Sequence, residues 1–323
     1  MPGEAACGPA VGATLIIGAA GFLGRHIARR LTAEGIPVVG LGSRRPGDIP
    51  FSRFHIGRTE LTGLLDEALE GCTNVVFAGG TTRPGAPMRT IGAELATEAG
   101  HVIDVAELCA LRGVARFVFL SSGGAIYGRT DATRIEETHP TEPISNYGLA
   151  KLVAEHGLRL IGLRSGMRVI SLRIANPYGP GQTVRGSQGF VAAVVGAARG
   201  EQTLEIWGDG SVVRDFVYVD DVAESVILAL MADVPSTVIN IGSSVGVSLV
   251  ELLATFERLS GCRMTPVFLP GRGVDVPRVV LDIGRARALL GWQPAHSLER
   301  GLALTIAAEN LGHPRETADP GSG

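Results

Sequence analysis

Lysine is all but missing from this chain. Of its 29 lysine and arginine residues only Lys151 is a lysine, so nearly every cation is a guanidinium. No basic block or basic amphipathic helix stands out, and the formal charge is −3, which argues against nucleic acid or an anionic membrane surface as a partner. No apolar run approaches the roughly 18 residues that span a bilayer. The opening MPGEAACGPAVGA lacks a positive region followed by an apolar core, so it does not read as a secretory signal. The four cysteines, Cys7, Cys72, Cys109 and Cys262, form no C-x-x-C pair and have no histidine at metal spacing. Free thiols in a reducing cytoplasm, and no metal site, are the expectation. Internal repeats and low-complexity segments are also lacking. What is present, 45% hydrophobic and 19% charged residues over 323 positions, suits a globular enzyme of one large or two modest domains.

The first half alternates short β-branched runs with helical periods. ATLII (13–17), PVVGL (37–41), TNVVFA (73–78), ARFVFLSS (115–122) and RVISLR (168–173) read as strands. Helical patterns lie between them, including a stretch from about 88 to 112 and one that starts near Ser145. Apolar strands alternating with helices predict an α/β fold, a Rossmann-type doubly wound parallel sheet covered on both faces. Beyond 175 the pattern loosens, and VRDFVYV (213–219) and TVINIG (237–242) read as strands returning to that sheet. The expected organisation is a dinucleotide-binding domain of 13–175 with 212–242, and a smaller, discontinuous substrate domain of 176–211 with 243–312. Residues 1–12 and 313–323 read as flexible tails.

LIIGAAGFLGRHIA places Gly18, Gly21 and Gly24, with Phe22 and Leu23 between them, at the turn from the first strand into the first helix. Glycine allows the tight turn and close backbone approach, and the helix N-terminus offers free N–H groups to a pyrophosphate. An NAD site usually has an acidic residue at the end of the next strand. Here Gly42 stands in its place, followed by Ser43, Arg44 and Arg45. Loss of a carboxylate and gain of two guanidinium groups suits the 2′-phosphate of NADP, with NAD as the alternative.

The one lysine lies in NYGLAK (146–151), four residues after Tyr147, so on a helix both side chains share a face. A tyrosine of ordinary pKa near 10 is un-ionised at neutral pH. A positive charge about 4 Å away is worth about 4 kcal/mol at an effective dielectric near 20. That is about a thousandfold in the ionisation equilibrium. Lys151 is expected to supply that charge and to donate to cofactor ribose hydroxyls, two tasks that suit a compact ammonium.

These motifs, with SSGGAIYG at 121–128 and RDFVYVDDVA at 214–223, resemble the extended short-chain dehydrogenase/reductase family, in its nucleotide-sugar epimerase, dehydratase and ketoreductase branch. The similarity runs from about residue 13 to 310. The resemblance implies a nicotinamide cofactor and a nucleoside-diphosphate sugar substrate. By carry-over, Tyr147 and Lys151 are the catalytic pair and also contact the cofactor, Ser121 contacts the cofactor, and Ser122, with Ser121 as the alternative, holds the reacting oxygen. Asn176, Arg214 and Arg272 match positions for the substrate diphosphate. A homodimer built through the helices near 88–112 and 145–165 is a further family expectation.

SSGGAIYG lacks the Asp-Glu pair with which the family's dehydratases remove water, so dehydration is not expected. It also lacks the hydroxyl that epimerases usually carry at Gly123 and the threonine often found at Ala125, and Thr97 stands where an asparagine is usual. The Thr97 departure has no clear consequence, but those at Gly123 and Ala125, with the Gly42–Arg45 run, lead to an expectation of NADPH-dependent reduction of a 4-keto hexose linked to dTDP or UDP. The alternative is a nucleotide-sugar 4-epimerase, and a remote one is a non-catalytic nicotinamide-sensing regulator, against which the Tyr147–Lys151 pair argues.

Overall fold

A computed structural model of the chain describes residues 12–59, 62–80, 90–182, 189–271 and 276–311. The first strand, β1 (Ala13–Ile17), turns through the glycine loop into α1 (Phe22–Ala33). There follow β2 (Val38–Gly42), β3 (Arg53–Ile56), α2 (Thr62–Leu69) and β4 (Cys72–Phe77). Next come α3 (Ile91–Glu94), a π-helical stretch Leu95–Gly100, and α4 (His101–Leu111), stacked end to end. After β5 (Arg116–Ser122), a long loop leads to α5 (Asn146–Ser165), β6 (Arg168–Ile174) and the short β7 (Asn176–Tyr178). The remainder is α6 (Phe190–Ala198), β8 (Glu205–Trp207), β9 (Val213–Tyr218), α7 (Val219–Met231), β10 (Thr237–Ile241), β11 (Gly246–Ser248), α8 (Leu249–Ser260), β12 (Val267–Leu269), β13 (Arg278–Val279), α9 (Gly284–Leu290) and α10 (Leu298–Ala308).

Seven strands form one parallel sheet in the order β3-β2-β1-β4-β5-β6-β10. Alternation along β1 divides the core: Ile16 joins the cluster that includes Ile27 and Leu31 of α1 and Val222 and Val226 of α7, while Leu15 and Ile17 join the cluster with Val105 of α4 and Leu158 of α5. Both faces of the sheet are therefore apolar, as the unbroken hydrophobic runs require. Strand order reverses between β1 and β4, which opens a crevice at their carboxyl ends, the place where doubly wound sheets bind ligands.

The two late strands part company. TVINIG becomes β10, the seventh strand, paired with β6. VRDFVYV becomes β9 and does not enter the main sheet; it pairs with β7, β11 and β13 in a small sheet of its own. Its side chains explain the change: Phe216 and Tyr218 face a third core with Tyr178, Leu252 and Phe256, while Val217 faces the main core. A strand apolar on both sides thus forms the joint between the two regions. The reading of VRDFVYV as a strand returning to the main sheet is corrected accordingly.

Among the described residues no helix is long and apolar enough to cross a membrane. Cys72, Cys109 and Cys262 are unpaired, and burial pushes the Cys109 thiol up to about 12. Cys7 and nearly all of both expected tails lie outside the described residues.

Candidate active site

The glycine loop has no space for side chains at its two ends. Gly18 has φ +85°, and a Cβ there would lie 2.7 Å from the Gly79 nitrogen. A Cβ on Gly24 would lie 2.1 Å from the Gly18 carbonyl oxygen, so helix and strand touch backbone to backbone. Gly21 caps α1 without a side-chain hydrogen bond, which leaves first-turn N–H groups free to face an anion. Phe22 packs edge-on against His26 at 5.6 Å between centroids, and His26 Nδ1 lies 2.7 Å from Asp220. With partly buried Leu23 also packed on the third core, α1 is pinned to α7 and the second region. A close-approach cradle under an uncapped helix fits the pyrophosphate of a dinucleotide.

At the end of β2, Ser43, Arg44 and Arg45 are exposed, and Arg45 Nη2 donates to the Phe51 carbonyl at 3.4 Å. Sequence reading missed that α1 adds cations here. Arg25, directly after Gly24, donates to Asp48 at 3.2 Å; Arg29 also donates to Asp48, and that bond holds the Asp48 carboxyl down to about 2. Arg25 Nε is buried and without a partner. The spacing of Arg25 and Arg29, one helical turn apart, was the available signal.

Ser145 accepts from the Gly148 nitrogen at 3.1 Å and so starts α5 at the residue before the NYGLAK motif. A Cβ on Gly148 would meet the Ala125 carbonyl oxygen at 2.2 Å; glycine there lets the helix press onto the SSGGAIYG loop. Tyr147 and Lys151 share one face, as expected. Lys151 is 8% exposed; its Nζ donates to the Leu120 carbonyl at 3.1 Å and sits 4.7 Å over the Phe119 ring. Burial lowers Lys151 to about 8, against the pull of Glu98 and Glu155.

The expected acidic phenol is not found in the protein alone. Lys151 Nζ is 5.8 Å from the Tyr147 ring centroid, and burial pushes Tyr147 up to about 12. A hydrogen bond with the Ser122 side chain opposes that rise, and the Glu98 carboxylate adds to it. Loss of water around the phenol outweighs the Ser122 hydrogen bond. Ser122 is thus where a residue acting with Tyr147 should be.

Glu98 was missed. It lines a cavity of about 10 Å³ together with Val102, Phe119, Tyr147 and Lys151. Thr97, at the position expected to hold an asparagine, turns its hydroxyl to the Ala93 carbonyl of its own helix at 2.8 Å. Glu98 is the residue of this helix that reaches the site, from within the π-helical stretch.

Ser121 and Ser122 point to opposite sides of β5. Ser121 is buried and donates to Glu155 Oε1 at 2.6 Å. Arg173 closes on Glu155 with Nε to Oε1 at 3.0 Å and Nη2 to Oε2 at 2.7 Å, and donates to the Tyr127 hydroxyl at 2.9 Å. Gly123 has its own reason: a Cβ there would meet Leu281 Cδ1 at 2.5 Å and the Arg173 carbonyl oxygen at 3.0 Å, so the hydroxyl residue usual in epimerases would require Leu281 to shift.

Among the diphosphate candidates, Asn176 donates to the Asp215 carbonyl at 2.9 Å, and Arg214 Nη1 donates to the carbonyls of Val213 and Val276 at 2.9 and 2.7 Å. The two are brought together across β7 and β9, while Arg272 lies outside the described residues. Asp215 is fully buried and binds the amides of Ser243, Ser244 and Leu281; burial raises its pKa against those bonds. Asp221 likewise accepts from the amides of Ala295 and His296. Asp215 and Asp221 of RDFVYVDDVA therefore organise loops.

A dinucleotide cradle, a Tyr-x-x-x-Lys helix and a serine beside the tyrosine define an enzyme of the short-chain dehydrogenase/reductase type. Residues 14–242 match the model of the NAD dependent epimerase/dehydratase family, and the chain belongs to that family. It is 33% identical over 312 residues to the UDP-glucose 4-epimerase of Mycolicibacterium smegmatis, covering 91% of this chain and 97% of that protein. It is 28% identical over 303 residues to the dTDP-4-dehydro-6-deoxyglucose reductase of Escherichia coli, covering 90% and 96%. Among solved structures, the UDP-glucose 4-epimerase of Thermotoga maritima with UDP-glucose superposes with a TM-score of 0.85 at 31% identity, over 92% of this chain and 98% of that one. The Thermus thermophilus UDP-glucose 4-epimerase in complex with NAD gives 0.83 at 30% identity, over 92% and 99%.

Proposed function

We propose that this protein is a nucleotide-sugar 4-epimerase, inverting carbon 4 of a hexose carried on a nucleoside diphosphate. The observation that carries the reading is the Ser122–Tyr147 hydrogen bond with Lys151 one turn along the same helix. Two hydroxyls so placed can hold a secondary alcohol oxygen and move its proton. The segment 121–128 offers no carboxyl pair for water loss. The relatives named UDP-glucose 4-epimerase support the same reading.

Gly18, Gly21, Phe22, Leu23 and Gly24 would hold the pyrophosphate of a nicotinamide dinucleotide, and Lys151 its ribose. When bound, that group supplies hydride acceptance and return. As the phenolate, Tyr147 would take the proton of the sugar hydroxyl and later give it back, while Ser122 fixes the oxygen. Asn176, Arg214 and Arg272 would hold the sugar diphosphate, for which amide donors and guanidinium forks are suited.

A second reading, NADPH-dependent reduction of a 4-keto sugar, draws on Gly42 and on Ser43, Arg44, Arg45 and Arg25 around the β2 end, and on the Escherichia coli reductase relative. The decisive assay follows nicotinamide absorbance with UDP-glucose, UDP-galactose and a dTDP-4-keto-6-deoxyhexose. Interconversion of the first two without net consumption is expected. Stoichiometric NADPH consumption with the keto sugar, and no interconversion, would replace epimerisation by reduction. Titration with NAD and NADP decides the cofactor: tighter NADP binding favours the arginine reading. A homodimer through α4 and α5 suits the exposed Leu111, Leu160 and Leu163 on those helices, and sedimentation tests it.

A further inference from the structure

Glu98 is the one ionisable group lining the small chamber that the Tyr147–Lys151 pair leaves without a role. It is 8% exposed, and its other neighbours there include the apolar Val102 and Phe119. A carboxylate taken out of water is costly unless a charge or hydrogen bonds compensate it. The charges around it can be followed element by element. From α5 come Tyr147, Lys151 and Glu155; from β6 comes Arg173, which is bound in a fork to Glu155. On its own helix lie Glu94, 5% exposed, and His101, whose Nε2 faces the Thr59 hydroxyl. Lys151 is thus the cation that shares the chamber with Glu98.

The backbone points the same way. The helix departs from α geometry over Leu95–Gly100, around Glu98, and resumes at His101. Such π-helical turns occur often at functional sites.

We propose that Glu98 is a positioning residue for proton transfer: its carboxylate keeps Lys151 in the ammonium form and sets the pH window in which Tyr147 exchanges a proton. The inference rests on Tyr147 acting as the acid–base group of the proposed reaction. Its sign follows from electrostatics. A negative charge beside both groups disfavours the phenolate and favours the ammonium, and both Tyr147 and Lys151 are raised by Glu98. Replacing the carboxylate by an amide of the same shape lowers both together. If turnover requires an ionisable phenol and a charged lysine, the acid and alkaline limbs of its pH profile then move downward as a pair.

The chain's single lysine makes a measurement independent of activity straightforward. Protein grown with isotopically enriched lysine carries its NMR label at Lys151 alone. In the cofactor-free wild type, Lys151 is expected to titrate near about 8. In Glu98→Gln the midpoint should fall by about one pH unit, with both limbs of the turnover profile moving by a similar amount. Glu98→Asp, which keeps the charge, should restore most of the wild-type midpoint and serves as the second variant if Glu98→Gln folds poorly. An unchanged Lys151 midpoint in Glu98→Gln, or the same midpoint in Asp and Gln variants, would overturn the proposal. Full turnover in Tyr147→Phe would instead overturn the assigned reaction, and the lysine titration would still decide the role of Glu98.

Discussion

The Ser121 hydroxyl donates to Glu155 Oε1 at 2.6 Å, while Ser122, one residue on and facing the other way, bonds to Tyr147. The end of β5 therefore joins two networks. One is a buried ion pair that holds α5 against the sheet, and the other is the pair proposed for proton transfer. Glu155 sits one helical turn beyond Lys151, so the ion pair and Lys151 share a helix face.

Arg173→Met tests the first network. Glu155 and Arg173 are each 5% exposed, and removing one partner leaves a buried charge unpaired. A loss of about 3–5 kcal/mol in denaturant unfolding is expected. Combining it with Glu155→Met should recover much of that loss, because two apolar groups leave no buried charge behind.

Lys151→Met separates activity from stability. A lysine whose pKa is lowered on folding prefers to be neutral in the folded state, so its ammonium opposes folding at all pH values below about 8. That penalty is relieved as pH rises from there towards the ordinary lysine value near 10.4. The variant should lack the pH-dependent gain in stability that the wild type shows through that window. Turnover should be lost. Thermal unfolding of cofactor-free protein at several pH values checks the sign.

Tyr147→Phe should lower turnover by about 10³-fold while dinucleotide retention persists, since in the proposed reaction the phenol moves the proton and the glycine loop holds the pyrophosphate. Ser122→Ala should cost about 10²-fold and move the pH profile upward, because the bond that opposes the rise of Tyr147 is gone. Steady-state kinetics across pH distinguishes the two.

Gly24→Ala probes the cradle. Its Cβ would lie 2.1 Å from the Gly18 carbonyl oxygen, and backbone on both sides leaves nothing flexible to yield. Dinucleotide binding should fall below detection in a titration. Gly35→Ala, where nothing lies within 4 Å but φ is +73°, is the comparison and should bind normally with a modest loss of stability.

The sheet strands of the first half were legible because each is an apolar run bounded by turn residues, and β1 falls on the five residues read for it. The glycine loop and Tyr147–Lys151 were legible because their chemistry depends on local spacing. Glu98 was not: an acidic residue in a helix ordinarily faces water, and only the packing of α5 against the π-helical turn makes it an inner group. Asp215 and Asp221 were hidden for the same reason, since the amides they bind come from loops at 243–244, 281 and 295–296.

Sequence alone determined the α/β class, the cradle and the shared face of Tyr147 and Lys151, because backbone conformation and helical periodicity act over a few residues. Tertiary structure alone decided where β9 pairs, which serine meets Tyr147, and that the phenol is raised and not lowered. Those outcomes depend on burial and on charges from distant segments, and desolvation is a property of the packed interior.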